Sequence, residues 1–212
     1  FCQEKIVSTG GEGGMLTTSD KNIWKKSWSI KDHGKSYEKM TIKEKHSSSF
    51  KWVHESLGSN FRLTEMQSAI GRIQLRKLPD WLRKRENNAR FLSQNKKEIN
   101  SLRIPLPQNN IKHSWYKFYV YLEPNSLLED WSRDRIIKEI NLLGFPAFSG
   151  SCSEVYLEKC FINLSIGPTN RLPNAKLLGE TSLMFLVHPT ITPDQMEKYQ
   201  NAIKKIIKRA TR

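Results

Sequence analysis

Through the stretch WYKFYVYL, Tyr116, Phe118, Val120 and Leu122 alternate with the side chains between them. A period of two is that of a strand with one face buried. The pattern then turns helical: Ser132 is a cap, Ile136, Ile137, Ile140 and Leu143 recur on one face, and Gly144 closes the segment. Thr181 to Val187 reads as a second short strand. Thr192-Pro193-Asp194-Gln195 is a capping box with proline at the first helical position. It opens a last helix buried through Met196, Tyr199, Ala202, Ile203 and Ile206. Interleaved strand and helix periods require an α/β class for this part of the chain.

Further upstream, Ile6-Val7 and Met15 to Thr18 flank the run Gly10-Gly11-Glu12-Gly13-Gly14, so residues 1–18 read as a turn-rich strand pair. Ser19-Asp20 caps a helix through about Lys31, with Ile23, Trp24, Ser27 and Trp28 on one side. Gly34 is placed for a left-handed C-terminal residue. Residues 35–60 are polar and weakly periodic and are expected to form a long loop. Thr64-Glu65-Met66-Gln67 is another capping box, followed by a stripe of Met66, Ala69, Ile70, Ile73 and Leu78 expected to be buried. Pro79 is expected to interrupt that helix. A second, heavily charged helix is expected from about Asp80 to Ile99, with Trp81, Leu82, Ala89 and Leu92 as its apolar contacts. The character changes after the Pro105–Pro107 turn, and the domain boundary is placed between about 80 and 105.

Composition narrows the function classes. With 35 Lys and Arg against 21 Asp and Glu, the net charge is +14. The excess is spread along the chain and densest in 51–100, on Arg72, Arg76, Lys77, Arg83, Lys84, Arg85 and Arg90. These positions lie among helix-patterned residues, where solvated faces carry such charge. No zinc finger, aromatic RNA-binding strand or basic zipper accompanies them, which disfavours a nucleic-acid module. A phosphorylated small molecule suits the same charge. Cys2, Cys152 and Cys160 have no zinc spacing and no disulfide framework, so they read as buried or incidental thiols. No apolar run approaches the roughly 18–20 residues of a membrane span. The first residues also lack the layout of a secretory signal, so a cytoplasmic location is expected.

The chemistry-bearing residues are modest one by one. The glycine cluster has neither the Gly-Lys-Ser/Thr of a P-loop nor the G-x-G-x-x-G order, and a closely packed turn is the simpler reading. Lys5 could form a Schiff base only if its amine is made neutral. His33, His54 and His188 show no triad spacing and read as capping or core histidines. Asn60 and Arg62, just before the Thr64 box, suit a phosphate at a helix N-terminus.

Taken together in order, FCQEKIVSTGGEGGML, KDHGKS, LGSNFRLTEMQSAIGRIQL and SLMFLVHPTITPDQMEKY resemble the DegT/DnrJ/EryC1/StrS family of pyridoxal-phosphate sugar aminotransferases of fold type I. The resemblance runs from residue 1 almost to the end. It implies the C-terminal part of that fold. Residues 1–80 would be the remainder of the large cofactor-binding domain, and 81–212 a linking helix with the small domain. It also implies pyridoxal 5'-phosphate as cofactor, held through Lys5, Asn60 and Arg62, with Lys5 as the catalytic Schiff-base lysine that moves the proton. Asn60 would reach the cofactor phosphate of the neighbouring subunit in a homodimer, and Arg62 would help position it. The glycines after Lys5 would be scaffolding. Glutamate would be the amino donor and a nucleotide-linked keto sugar the acceptor, as in lipopolysaccharide or related amino-sugar biosynthesis. Ser151, Ser153, Tyr156 and His188 would contact substrate.

Two departures stand out. Leu186 occupies a position where the family commonly has proline. The part of the large domain that precedes the lysine in the family, with the carboxylate for the pyridine nitrogen, is absent from this sequence. The polypeptide by itself is therefore expected to bind the cofactor poorly and to be inactive. A non-catalytic basic regulatory or nucleic-acid-binding module is the alternative from another class. A sugar dehydratase of the same fold is the third, against which the lysine at position 5 argues, because dehydratase relatives carry histidine there.

Overall fold

The computed structural model describes residues 1–42 and 50–211. The chain divides into two compact units, Phe1–Leu78 and Pro79–Arg212.

The second unit is built on a four-stranded antiparallel sheet. Its strands are β1 (Leu102–Arg103), β2 (Phe118–Leu122), β3 (Ala147–Phe148) and β4 (Ser182–Phe185), in the order β1-β2-β4-β3. The register pairs Phe118 with Phe185 and Val120 with Leu183. The alternation in WYKFYVYL is realised: Phe118, Val120 and Leu122 are buried, while Tyr119 and Tyr121 are half-buried. Against the buried face lie α4 (Arg133–Leu142) and α7 (Pro193–Ala210) through Ile136, Ile140, Met196, Tyr199, Ile203, Ile206 and Ile207. Burying each such side chain contributes about 1.5–3 kcal/mol, so this cluster dominates the unit's stability. Leu143, expected inward, is 42% exposed, because it already lies in the C-cap beyond the last helical turn. The Thr192 box closes as read: Gln195 N–H donates to Thr192 Oγ1 at 3.3 Å, and Thr192 N–H donates to Gln195 Oε1 at 2.9 Å. Between β3 and β4 the chain makes a long excursion carrying α5 (Lys159–Asn163) and α6 (Pro173–Thr181).

In the first unit, α1 (Lys21–Lys31) is capped by Asp20, whose carboxylate accepts from Asn22 and Ile23 N–H. Trp24 and Trp28 both meet the ring of Tyr37 edge-on, at 4.7 and 5.2 Å between centroids. Tyr37 begins α2 (Tyr37–Thr41), a short helix inside the segment expected to be all loop. The part of that expectation covering residues 43–49 lies outside the described residues. The strand pair expected over 1–18 is absent. These residues form turns and bends, and no described neighbour supplies the ladder hydrogen bonds that extended backbone requires.

Helix α3 (Glu65–Ser93) corrects two expectations. It runs through Pro79 without a break, followed by a single 3-10 turn at Gln94–Lys97. Proline removes one helical hydrogen bond, and at this exposed position water can satisfy the carbonyl it frees. The apolar stripe on its first half is not buried: Met66 is 78%, Ile73 47% and Ile70 41% exposed. A periodic stripe reveals which face would leave water, while the cover must come from another segment. No helix among the described residues is long and apolar enough to cross a membrane. Cys2 is half-buried, whereas Cys152 and Cys160 are exposed free thiols rather than core residues.

Candidate cofactor and substrate sites

Lys5 sits on a turn closed by its own N–H donating to Cys2 O at 3.1 Å, with its side chain exposed. The chain then passes buried Thr9 and lies along the start of α3. Gln67 Nε2 donates to Glu12 O at 2.9 Å, while the Oε1 of the same amide accepts from Thr64 N–H at 3.4 Å. The helix cap is therefore also the anchor of the glycine run. A Cβ on Gly10 would stand 3.0 Å from Ile70 Cδ1, and one on Gly11 3.0 Å from Gln67 Nε2. These glycines give the backbone close approach to a helix.

Asn60 and Arg62 are positioned by a backbone strap. His33 N–H donates to Ser59 O (3.1 Å), Ser59 N–H to Ile30 O (2.8 Å), and Phe61 N–H to Lys31 O (3.0 Å). Further along, Ser36 N–H donates to Val53 O at 2.7 Å and Glu55 N–H to Gly34 O at 2.9 Å. Asp32 and Asn60 face each other as an antiparallel bridge. The end of α1 thus holds the Asn60 segment in place. Asn60 Oδ1 accepts from Arg62 N–H at 3.3 Å, and its amide N–H groups have no partner among the described residues. Arg62 turns back: its Nη1 donates to Asp32 Oδ1 at 2.5 Å, and Lys35 Nζ reaches the same oxygen at 3.2 Å. Burial works against ionising Asp32, but the two cationic donors outweigh it and hold its carboxyl below the usual range.

The remaining candidates belong to the second unit. Ser151 and Ser153 line a hollow of about 340 Å³ with Arg133, Cys152, Glu154 and Gly179. Ser151 Oγ and N–H both meet Tyr119 Oη, at 3.0 and 3.2 Å. Tyr156 is a strut: its hydroxyl donates to Glu154 Oε1 at 2.7 Å and accepts from Leu172 N–H at 2.9 Å. Arg171 adds a bidentate pair to Glu154, Nε to Oε1 at 2.9 Å and Nη2 to Oε2 at 2.5 Å. His188 is exposed, its carbonyl held by Asn88 Nδ2 at 3.1 Å and its Nδ1 facing Thr190 Oγ1 at 2.7 Å.

The Glu154 clamp has a pH signature. Arg171 first, then Tyr156, hold the Glu154 carboxyl at about 2, against an ordinary 4.5. A depressed carboxylate contributes stability above its unfolded value and loses it as pH falls toward the folded one. The stability gap between the native chain and Arg171→Gln is expected to be full above pH 4.5 and to close toward pH 2, read from urea midpoints. A gap independent of pH across that window would contradict it.

Sequence reasoning missed Asp32, Lys35, Glu154 and Arg171. Asp32 and Arg62 lie thirty positions apart and Glu154 and Arg171 seventeen, so no local period links them. The only available signal was that each acid stands beside a motif singled out for another residue.

The first unit, with its lysine turn and strapped Asn-x-Arg segment, and the second, with its antiparallel sheet, are parts of a fold type I transferase. The aminotransferase from Psychrobacter cryohalolentis superposes with a TM-score of 0.92 at 49% identity, over 99% of this chain and 55% of that one. A Streptococcus pneumoniae protein described as a sugar aminotransferase and solved in its PLP form shares the fold at 16% identity. Its TM-score is 0.73, over 92% of this chain and 46% of that one. Among curated proteins, GDP-perosamine synthase of Caulobacter vibrioides is 24% identical over 98% of this chain and 51% of its own. The profile of the DegT/DnrJ/EryC1/StrS aminotransferase family matches residues 1–204, and the chain belongs to that family. It spans about half the length of these relatives.

Proposed function

We propose that this chain is the lysine-bearing part of a pyridoxal-phosphate enzyme that transfers an amino group from glutamate to a keto group of a nucleotide-linked sugar. The observation that carries the proposal is family membership over 1–204, and the motif resemblance around FCQEKIVSTGG assigns the catalytic lysine to Lys5. GDP-perosamine synthase among the relatives favours a nucleotide-sugar acceptor, and the solved PLP form favours the cofactor.

The residues present suit the cofactor. Lys5 is an exposed residue on a turn closed by its own N–H, and Asn60 offers amide N–H groups without a partner among the described residues, on a strapped segment. When bound, pyridoxal phosphate supplies an electron sink for the carbon that loses its proton. Lys5 Nζ carries that proton away and returns it, as general base and then acid. Asn60 donates to the phosphate of the cofactor in a second subunit of a homodimer. Arg62, already engaged by Asp32, positions the Asn60 segment rather than binding by itself. Ser151 and Ser153, on the rim of their hollow, and His188 contact the sugar nucleotide. Tyr156 serves that surface through Glu154 and Leu172. Residues 1–80 act as the remainder of the cofactor domain and 81–212 as linking helix and small domain, in the cytoplasm.

Because the chain spans about half of its relatives, the 212 residues alone are expected to give no visible absorbance band with pyridoxal phosphate and no transfer. A polypeptide that also carries the preceding large-domain half is expected to convert glutamate to 2-oxoglutarate in the presence of nucleotide-linked keto sugars. If such a polypeptide forms no 2-oxoglutarate with any keto sugar of this class, the proposed reaction is wrong. A visible band from the 212 residues alone would refute their inactivity.

A further inference from the structure

Arg85 on α3 is only 5% exposed, yet it pairs with no carboxylate among the described residues. Its Nη1 donates to the carbonyl oxygens of Trp115 and Tyr116, both at 3.1 Å, and its Nε has no hydrogen-bond partner. A guanidinium keeps its charge even when buried, so among the described residues this charge rests on two carbonyl dipoles and no carboxylate, in a poorly screened place. Three residues on, Asn88 holds the carbonyl of His188 at 3.1 Å. Positions three apart share a helix face, so the chain at Lys117 and the chain at His188 converge on one turn of α3.

The side chains at this junction are a lysine and a histidine. Lys117 is half-buried, its Nζ 5.2 Å from the centroid of the Tyr116 ring. The His188 ring is exposed, and its Nδ1 is turned to Thr190, which leaves Nε2 as the outward nitrogen. Partial burial, then the charges of Arg85 and Lys117, push the His188 pKa down, and no carboxylate acts in the other direction. The nearest acid along the helix, Glu86, is occupied by Arg90 at 2.7 Å.

We propose that Lys117 and His188, in the field of the buried Arg85, form a seat for an anionic group, a carboxylate or a phosphate. Such a group supplies the negative charge that this cluster lacks, through charge-assisted hydrogen bonds to Lys117 Nζ and His188 Nε2. The reaction proposed above offers two sources, the carboxylate of an amino-acid donor and the diphosphate of a nucleotide sugar. Assigning either source rests on that reaction, whereas the seat itself does not.

The test is an NMR titration of the histidine rings in the 212-residue chain, at fixed pH and ionic strength, with inorganic phosphate and separately with glutamate. A saturable shift confined to His188 is expected with at least one of them. Lys117→Gln is expected to weaken it about tenfold, the loss of one charged hydrogen bond, and Lys117→Arg to retain it. Lys117 makes no anchoring backbone contact through its side chain, so both variants should fold, as circular dichroism would check. Saturation by phosphate alone assigns a phosphate seat, and saturation by glutamate alone a carboxylate seat. If neither anion gives a saturable His188 shift, or if Lys117→Gln leaves the affinity unchanged, there is no such seat. These outcomes are read without pyridoxal phosphate, so they stand apart from the fate of the proposed reaction.

Discussion

Replacing Lys5 by alanine is expected to lower amino transfer by about a thousandfold or more in a polypeptide carrying both halves of the enzyme. The same change is expected to remove the visible absorbance of lysine-bound cofactor while leaving the fold intact. Structural damage should be small because Lys5 is exposed and its turn is closed by the backbone N–H, which alanine keeps. Lys5→Arg should fail equally, since a guanidinium stays protonated and cannot take up the proton. Stopped-flow absorbance and 2-oxoglutarate formation read the two effects separately. Retention of substantial transfer by Lys5→Ala would move the chemistry to another residue.

The second large effect is structural and falls on the strap. Gly34 has φ of +81°, and a Cβ there would stand 1.7 Å from the carbonyl oxygen of Ser56. Gly34→Ala therefore costs about 1–2 kcal/mol for the left-handed backbone alone. The contact with Ser56 is with backbone, which no rotamer change relieves. The strap must open, and with it go the bonds that fix Ser59, Asn60 and Phe61 against the end of α1. The expected result is faster hydrogen exchange at the amides of His33, Glu55, Ser59 and Phe61, while the amides of β2 and β4 keep their protection. In a longer, cofactor-binding polypeptide, affinity for pyridoxal phosphate should fall as Asn60 loses its position. Unchanged protection at Ser59 and Phe61 would show that the strap tolerates the side chain.

Much of the small domain was legible in the sequence because its signals are local. The alternation of β2, the Thr192 box and the inward face of α7 each follow from spacings of two to four residues. Gly34 was legible for the same reason, since a glycine just past a helix has few other uses. The failures share one cause too. The stripe Met66-Ile70-Ile73 identified a face but not its cover. Ile6-Val7 looked like a strand only because a strand's partner cannot be read from its own residues. Pro79 was given the power to end a helix, when its cost is one hydrogen bond on an exposed side.

By itself the sequence determined the α/β class, the helix caps, the alternating core strand and, through residue identity in several separate motifs, the family. Tertiary structure alone decided that Arg62 answers to Asp32, that Tyr156 and Arg171 close on Glu154, and that Arg85 is buried beside Lys117 and His188. The physical reason is range. Caps and periodic faces are written in neighbouring residues. An ion pair or a shared field depends on where distant segments meet, and that leaves no pattern along the chain.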